Sequence, residues 1–415
     1  MPMTLAVDDL VPGVVLHQNV TGPSGRLLLA SGVKLSEAHI RNLEKWGVVA
    51  VQVCFGSDDE NRTDTGPVPP ELAEETKRQL REIAGFLAQK KNIPLASFHL
   101  LTTTLNGVIQ RIFDHQGLLF NEVQLISHHD AHTYDHSWSV CVISLALARE
   151  AAAAGVLNPP DALSRLSLGL GGLFHDLGKI FVPLSVLNKP GALSPEEYAL
   201  LQEHPQRGTD VLRKYESVSP MSRSIVLHHH QRWDGKGYGP ASGFRLKGEE
   251  IPHLVRIVSV ADAYDALISD RPYHPGYLPG DALSVLRQAG GSYFDPRVAP
   301  LLSGVVPDYP RGSVVLAKNG WVVHVNQAIR QGEPLHGTVV GALTAEGAPD
   351  VGEGVVLASA QTLCGGNSLQ HLAQRLESLW QFRPTLEERP LVLHALSPWD
   401  VLLRHHFHRG VPSMP

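Results

Sequence analysis

The 415-residue chain is short of cysteine, of surplus basic charge and of long hydrophobic runs, and each shortage excludes something. Its three cysteines, Cys54, Cys141 and Cys364, lie far apart and form no CxxC pair. That argues against a disulfide framework and a thiolate zinc site, and it fits a reducing cytoplasm, the expected location. Lys and Arg number 35 against 41 Asp and Glu, a formal net charge of −6. Sequence-independent duplex binding draws its affinity from neutralised phosphates, so DNA is not an expected partner. The longest apolar run, Val140 to Ala148, is broken by Ser144 and has about half the length that spans a bilayer. The opening MPMTLAVDDLVPG meets Asp8 and Asp9 without a basic stretch before them. Neither a membrane segment nor a signal peptide is predicted.

What is present is an ordinary globular composition, 43% hydrophobic and 18% charged. Whole-chain disorder is excluded, and the length suits two or three domains at about 150 residues each. Histidine stands out: there are 22, with twelve between His115 and His274. If the chain holds metal, imidazole and carboxylate hold it.

The sequence predicts a mainly α chain, with a helical bundle flanked by a small β-rich N-terminal module and an α+β C-terminal appendage. Residues 1–55 carry short apolar runs, turn residues at Gly22-Pro23-Ser24-Gly25, and a helix from Glu37 to Trp46 with Ser36 as cap and Gly47 as stop. Residues 56–70 are polar and acidic, end in Pro69-Pro70 and read as a linker. Residues 71–116 are connecting helices with Leu80, Ile83 and Leu87 at helical spacing. Residues 117–300 form the bundle. In 301–415, Asn319-Gly320 between two apolar runs predicts a hairpin. Strands at Val339–Leu343 and Gly354–Ala358 and a helix from Ser368 to Trp380 are predicted to follow.

Within the bundle, hard-to-bury groups recur at helix ends or on apolar faces. His132, His136, Val140, Ile143 and Leu147 share one helix face, so His136 points inward as either a core histidine or a ligand. Asp161 caps the next helix, whose Gly169, Gly171 and Gly172 permit close helix contact. His175-Asp176 stands at its end with Lys179 one turn on. Neighbouring helical side chains diverge by about 100°, so this pair chelates only at a helix end or in a larger cluster. Ser194 and Glu197 form a capping box for a helix that His204, before Pro205, is expected to end. His228, His229 and His230 precede a glycine-rich loop, and Asp262 sits on an apolar face. An unpaired buried carboxylate is costly, so Asp262 has a cation, donors or a raised pKa. Imidazoles and carboxylates without thiolate suit Fe, Mn or Zn. There are too many for one tetrahedral ion, so two ions with Asp176 as bridge are the natural count. Two such ions can generate a hydroxide and clamp a phosphate. Lys179 and Arg271 are cations for that phosphate.

In order, His136, HDLGK (175–179), KPG (189–191), HP (204–205), HHQRWDGKGYG (229–239), ADAYDAL (261–267) and RPY (271–273) resemble the HD-GYP domain, a branch of the HD phosphohydrolases. The resemblance covers about residues 117–300, and residues 9–53 resemble the small domain that often precedes it. It implies an HD-type helical catalytic domain with two or three divalent metal ions, Fe or Mn first and Zn second. It also implies hydrolysis of cyclic di-GMP to pGpG or GMP by hydroxide held between the metals. By the same resemblance, His136, His175, Asp176 and Asp262 are ligands of one metal, and Asp176, His204, His229 and His230 of the second. His132 stands where members with three metals carry a Glu and is the candidate ligand for a third ion, whereas Tyr is common there in two-metal members. His175, Asp176 and Lys179 are the expected catalytic residues, and Lys179, Arg271 and Tyr238 the expected substrate contacts. The namesake Gly-Tyr-Pro is Gly237-Tyr238-Gly239 here, which frees φ and softens the loop. Gln231 stands where Glu usually follows the histidine pair. Two alternatives are a catalytically weak or inactive nucleotide-binding and interaction protein in signalling and a hydrolase of another cyclic dinucleotide; a protein partner at the GYG loop and a homodimer are further candidate partners. For Asp265, a partner of the site and a helix-packing hydrogen bonder are both open.

Overall fold

The chain is described from a computed structural model, which covers residues 3–7, 10, 15–21, 27–30, 33, 35–54, 67–89, 91–115, 133–187, 189, 193–269, 277, 279–317, 321–330, 333–342, 354–357 and 362–366. His132, Arg271 and the helix expected at 368–380 lie outside these residues. The described residues form two compact units, one from the strands near both ends with one helix, the other from the helices between.

The first unit begins with β1 (Met3–Ala6), β2 (Val15–Leu16), β3 (Val20–Thr21), β4 (Leu27–Leu29), α1 (Glu37–Lys45) and β5 (Ala50–Cys54). The strands β1, β5 and β2 form an antiparallel sheet in that order, and β3 pairs with β4. Ser36 caps α1 by accepting from the His39 N–H, as its side-chain chemistry predicts. Leu16, Leu35 and Leu43 are buried in the core of this part.

The helical unit follows: α2 (Pro70–Ala88), α3 (Leu95–Asp114), α4 (Thr133–Ala153), α5 (Ala162–Phe174), α6 (Leu184–Leu187), α7 (Pro195–Gln202), α8 (His204–Leu212), α9 (Pro220–His228), α10 (His253–Ile268) and α11 (Pro279–Gln288). Short 3-10 segments run from Leu177 to Phe181 and from Ala299 to Gly304. Their apolar stripes meet in one core that includes Phe98, Ile143, Phe174, Ile225, Val258 and Tyr264. The small residues of α5 set the spacing at its centre. A Cβ on Gly172 would fall 2.9 Å from the Cys141 Cα, and one on Gly171 2.8 Å from the Ile225 Cβ. Only glycine lets α4 and α9 approach α5 this closely.

Local signals in the sequence account for most helix ends. The Asp161 carboxylate accepts from the Ser164 N–H, and Ser194 with Glu197 makes a complete capping box. One expectation is corrected. His204 does not end a helix. Glu203 terminates α7, and His204 opens α8 with Pro205 in its first turn. Proline is tolerated there because the N–H it lacks has no helical partner in any case.

The strands β6 (Val314–Ala317), β7 (Trp321–Val325), β8 (Leu335–Ala342), β9 (Gly354–Leu357) and β10 (Thr362–Gly366) belong to the first unit. They form one antiparallel sheet in the order β10-β6-β7-β8-β9. The predicted hairpin is the β6–β7 pair, with Val315 opposite Val323. β10 and β1 have no clear alternating pattern of their own and are defined by the strands they pair with. Among the described residues, no helix is long and apolar enough to cross a membrane.

Candidate metal centre

The site lies where five helices bring polar groups to one point. His136 comes from α4, three residues after its start at Thr133. His175 and Asp176 follow α5, which stops at Phe174. Asp176 takes φ −97° and ψ 4°, outside the helical ladder. That break brings both side chains of the adjacent pair to the same centre, which a continuous helix forbids. His204 begins α8, His229 and His230 follow α9, and Asp262 is on the third turn of α10.

The three deepest imidazoles are oriented the same way. His175, His204 and His229 each place Nδ1 against the carbonyl three residues earlier: Gly172 at 2.8 Å, Leu201 at 2.7 Å and Val226 at 2.9 Å. A carbonyl only accepts, so each Nδ1 carries a proton, and the nitrogen that can present a lone pair is Nε2. Those Nε2 atoms converge. His204 Nε2 is 3.2 Å from His229 Nε2 and 3.3 Å from Asp176 Oδ1. His175 Nε2 is 3.3 Å from Asp176 Oδ2 and 3.2 Å from His136 Nε2. Asp176 Oδ1 is buried and receives no hydrogen bond. An orphaned carboxylate oxygen facing imidazole lone pairs is costly, and a cation resolves it.

The donor atoms sort into overlapping groups. Asp176, His204, His229 and His230 offer ligand atoms within 4.8 Å of one another, as do His136, His175 and Asp176, and also His175, His229 and Asp262. Asp262 Oδ1 is 3.2 Å from His136 Nε2 and 3.8 Å from His175 Nε2. Asp176 belongs to both of the first two groups, which is the position of a bridge. The donor set is imidazole and carboxylate, and its ligand atoms lie within reach of a common ion, so the residues present fit divalent metal binding.

The electrostatics agree. Burial opposes ionisation of Asp176, yet the Lys179 ammonium and the His175 and His204 imidazoles hold its carboxyl well below the usual range. Lys179 Nζ donates to Asp176 Oδ2 at 2.5 Å. Burial likewise opposes the charge on Asp262, and His136 with its neighbours overrides it. Burial lowers His204 and His229, and takes His230 down to about 3, so these three are neutral and able to ligate at neutral pH. His136 differs. Burial opposes its proton, but Asp262 and Asp265 raise it to about 10.

Asp265, for which the sequence leaves two roles open, bonds His136. Its Oδ2 lies 2.7 Å from His136 Nδ1. It stands three residues after Asp262 on the same face of α10, a spacing that could have signalled the shared target. A carboxylate behind a ligating imidazole fixes its tautomer and raises its basicity. Asp265→Ala is therefore expected to weaken Mn²⁺ binding by about 10- to 100-fold, measured by calorimetry.

Two further residues have roles that appear only in the packed chain. A Cβ on Gly178 would lie 1.9 Å from the His204 carbonyl oxygen and 2.7 Å from the Gly208 nitrogen. Gly178→Ala must push α8 and His204 away from Asp176. Denaturant unfolding is expected to show a loss of about 3 kcal/mol, the upper end for overpacking, together with loss of metal binding. Tyr198 on α7 is 47% exposed and lies edge-on to Tyr238, with ring centroids 6.4 Å apart.

The structure thus gathers His136, His175, Asp176, His204, His229, His230 and Asp262 at one centre, with Lys179 on Asp176 and Tyr238 against His230. His132 and Arg271 lie outside the described residues.

A helical bundle with a His-Asp pair at a helix break and a ring of imidazoles around it makes a candidate divalent-metal centre. Residues 109–298 match the HD domain family. The cyclic di-GMP phosphodiesterase PA4108 of Pseudomonas aeruginosa is 40% identical over 209 residues, an alignment covering 50% of this chain and 47% of that protein. The cyclic di-GMP phosphodiesterase response regulator RpfG of Xanthomonas campestris is 43% identical over 132 residues, covering 31% of this chain and 34% of RpfG. The 3'3'-cGAMP-specific phosphodiesterase 2 of Vibrio cholerae is 36% identical over 129 residues, covering 31% of this chain and 24% of that protein. The chain spans about half, or less, of the length of these relatives.

Proposed function

We propose that the chain is a metal-dependent phosphodiesterase that hydrolyses cyclic di-GMP to pGpG, to GMP or to both, in the cytoplasm. The observation that carries this reading is the buried convergence of imidazole lone pairs on Asp176, with an ammonium beside it. The relatives named as cyclic di-GMP phosphodiesterases support the substrate. His136, His175, Asp176 and Asp262 would hold one divalent ion, and Asp176, His204, His229 and His230 a second. Fe or Mn suits these donors first, Zn also, and His132 would add a third ion. Ions bound there supply Lewis acidity toward a phosphoryl oxygen and acidify water.

The chain's own side chains do the positioning. Lys179 has 30% of its side chain exposed, enough to reach from Asp176 toward a phosphate oxygen and offset the charge that develops there. Arg271 is the second cation proposed for the substrate. Tyr238 and the exposed Tyr198 form an aromatic edge beside the centre, suited to the face of a nucleobase.

His136 gives the site a pH dependence of definite sign. Its raised pKa means that the imidazole is protonated at neutral pH and must lose that proton before Nε2 can donate to a metal. Mn²⁺ affinity is therefore expected to rise about tenfold per pH unit through the neutral range, with one proton released per binding event. Titration in buffers of different ionisation enthalpy measures this, and a pH-independent affinity would contradict it.

The test of function is incubation of the Mn-loaded chain, and of chain loaded with iron anaerobically, with cyclic di-GMP and separation of the products. Turnover to pGpG or GMP is expected. No hydrolysis with Fe, Mn or Zn present overturns the reading, and tight nucleotide binding without turnover selects a scaffold instead. A second reading, hydrolysis of 3'3'-cGAMP, is favoured by the Vibrio cholerae relative named for that substrate. Hydrolysis of 3'3'-cGAMP but not of cyclic di-GMP would select it.

A further inference from the structure

Four of the five imidazoles at the centre are oriented through Nδ1: His175, His204 and His229 by a backbone carbonyl, and His136 by Asp265. His230 makes no such bond among the described residues. What lies against it is Tyr238. The two rings are stacked, with centroids 4.5 Å apart and planes 25° from parallel, and the Tyr238 N–H donates to the His230 carbonyl at 3.1 Å.

Tyr238 is in turn held by Gln231, which is buried at 3% exposure. The Gln231 amide donates from Nε2 to the Tyr238 carbonyl at 3.0 Å and accepts at Oε1 from the Leu246 N–H at 3.0 Å. The orientation of the amide is forced, because a carbonyl cannot donate and an N–H cannot accept. A side chain of this length meets both demands only if it carries one donor and one acceptor. A glutamate carboxylate would set an oxygen against the Tyr238 carbonyl. The next residue is equally constrained. A Cβ on Gly239 would fall 2.4 Å from the Leu227 carbonyl oxygen and 3.1 Å from Gln231 Nε2. The softening expected of Gly239 is therefore offset. Glycine lets the loop settle against the end of α9, and the Gln231 amide pins it there.

We infer that Gln231 is a positioning residue that, through the Tyr238 carbonyl, holds the Tyr238 ring on His230 and so aims His230 into the metal centre. The inference rests on the proposed two-metal reading of the site.

The test is a double-mutant cycle on the full-length chain with Gln231→Met and Tyr238→Ala, read first as Mn²⁺ affinity without substrate and then as kcat and KM for cyclic di-GMP. Each single variant is expected to weaken Mn²⁺ binding about tenfold, as loss of a ligand's outer support does, and the double variant no more than Tyr238→Ala alone. Additive losses would show that Gln231 acts without Tyr238, and an unchanged affinity in Gln231→Met would show that it does not support the centre. Either result overturns the inference. If Gln231→Met fails to fold, Gly239→Ala displaces the same loop by another route and enters the cycle in its place. A chain that binds Mn²⁺ and shows the non-additive cycle but hydrolyses no cyclic dinucleotide defeats the phosphodiesterase reading and leaves this inference standing. Additivity in an active enzyme does the reverse. A wild-type chain that takes up no Mn²⁺ overturns both.

Discussion

Asp176→Asn is expected to abolish turnover of cyclic di-GMP, by at least about 1000-fold, while the chain still folds. Asp176 is the one carboxylate common to the two main groups of donor atoms, and its Oδ1 is buried without a hydrogen bond. An amide there keeps the shape but removes the charge common to both donor groups, and it can turn an N–H toward ring nitrogens that would otherwise face a cation. Metal binding falls accordingly, by more than the 10- to 100-fold that losing an outer support alone costs. The fold survives because the helices are held by an apolar core that does not include Asp176. Some stability is lost. A carboxyl depressed below its ordinary value stabilises the fold at every pH above that value, and the neutral variant forgoes this contribution, about 1–3 kcal/mol. Thermal unfolding of the metal-free variant checks the point: the transition stays cooperative at a lower midpoint. Retained turnover would show that Asp176 is not the shared ligand.

Lys179→Met is expected to separate metal binding from chemistry. The ammonium contacts Asp176 at 2.5 Å, so in the metal-free chain it partly neutralises the carboxylate. Removing a positive charge beside a cation site makes the site more attractive to a cation, so Mn²⁺ affinity is expected to hold or tighten. Catalysis is expected to move the other way. If Lys179 offsets charge developing on the phosphate, its loss lowers kcat about 100-fold, the scale for losing one preorganised donor. An effect confined to the transition state lowers kcat and kcat/KM together, whereas loss of ground-state phosphate binding alone raises KM. A parallel fall in Mn²⁺ affinity and turnover would show that Lys179 acts by supporting Asp176 and not on the substrate.

These two residues were legible in the sequence because the family resemblance rests on motifs, and HDLGK carries both. The helices were legible for a different reason. Ser36, Asp161 and Ser194 cap their helices through short-range hydrogen bonds, which depend on neighbours three residues away and need no tertiary partner. The β6–β7 hairpin follows from local chemistry in the same way. His204 shows where such reasoning stops. A helix end at His204 is the reading Pro205 suggests, but proline is as compatible with a first turn as with the residue after a termination, and only the packed chain distinguishes the two.

The sequence alone determined which residues could form a metal centre: the imidazoles and carboxylates, their order, and the absence of a thiolate alternative. It also determined the amphipathic helices that carry them. The tertiary structure decided where the lone pairs point. Convergence on Asp176 depends on five helices meeting at fixed distances, and those distances are set by core contacts such as Gly172 against Cys141. The tautomers of His175, His204 and His229 follow from backbone carbonyls that exist only once the helix ends are built. Asp265 behind His136, and Gln231 with Tyr238 behind His230, come from residues whose partners lie 129 positions away in one case and across a loop in the other. Histidine enrichment announces that an imidazole centre can exist. Only packing specifies which nitrogen of each ring faces the centre, because that choice is made by the group on the other side of the ring.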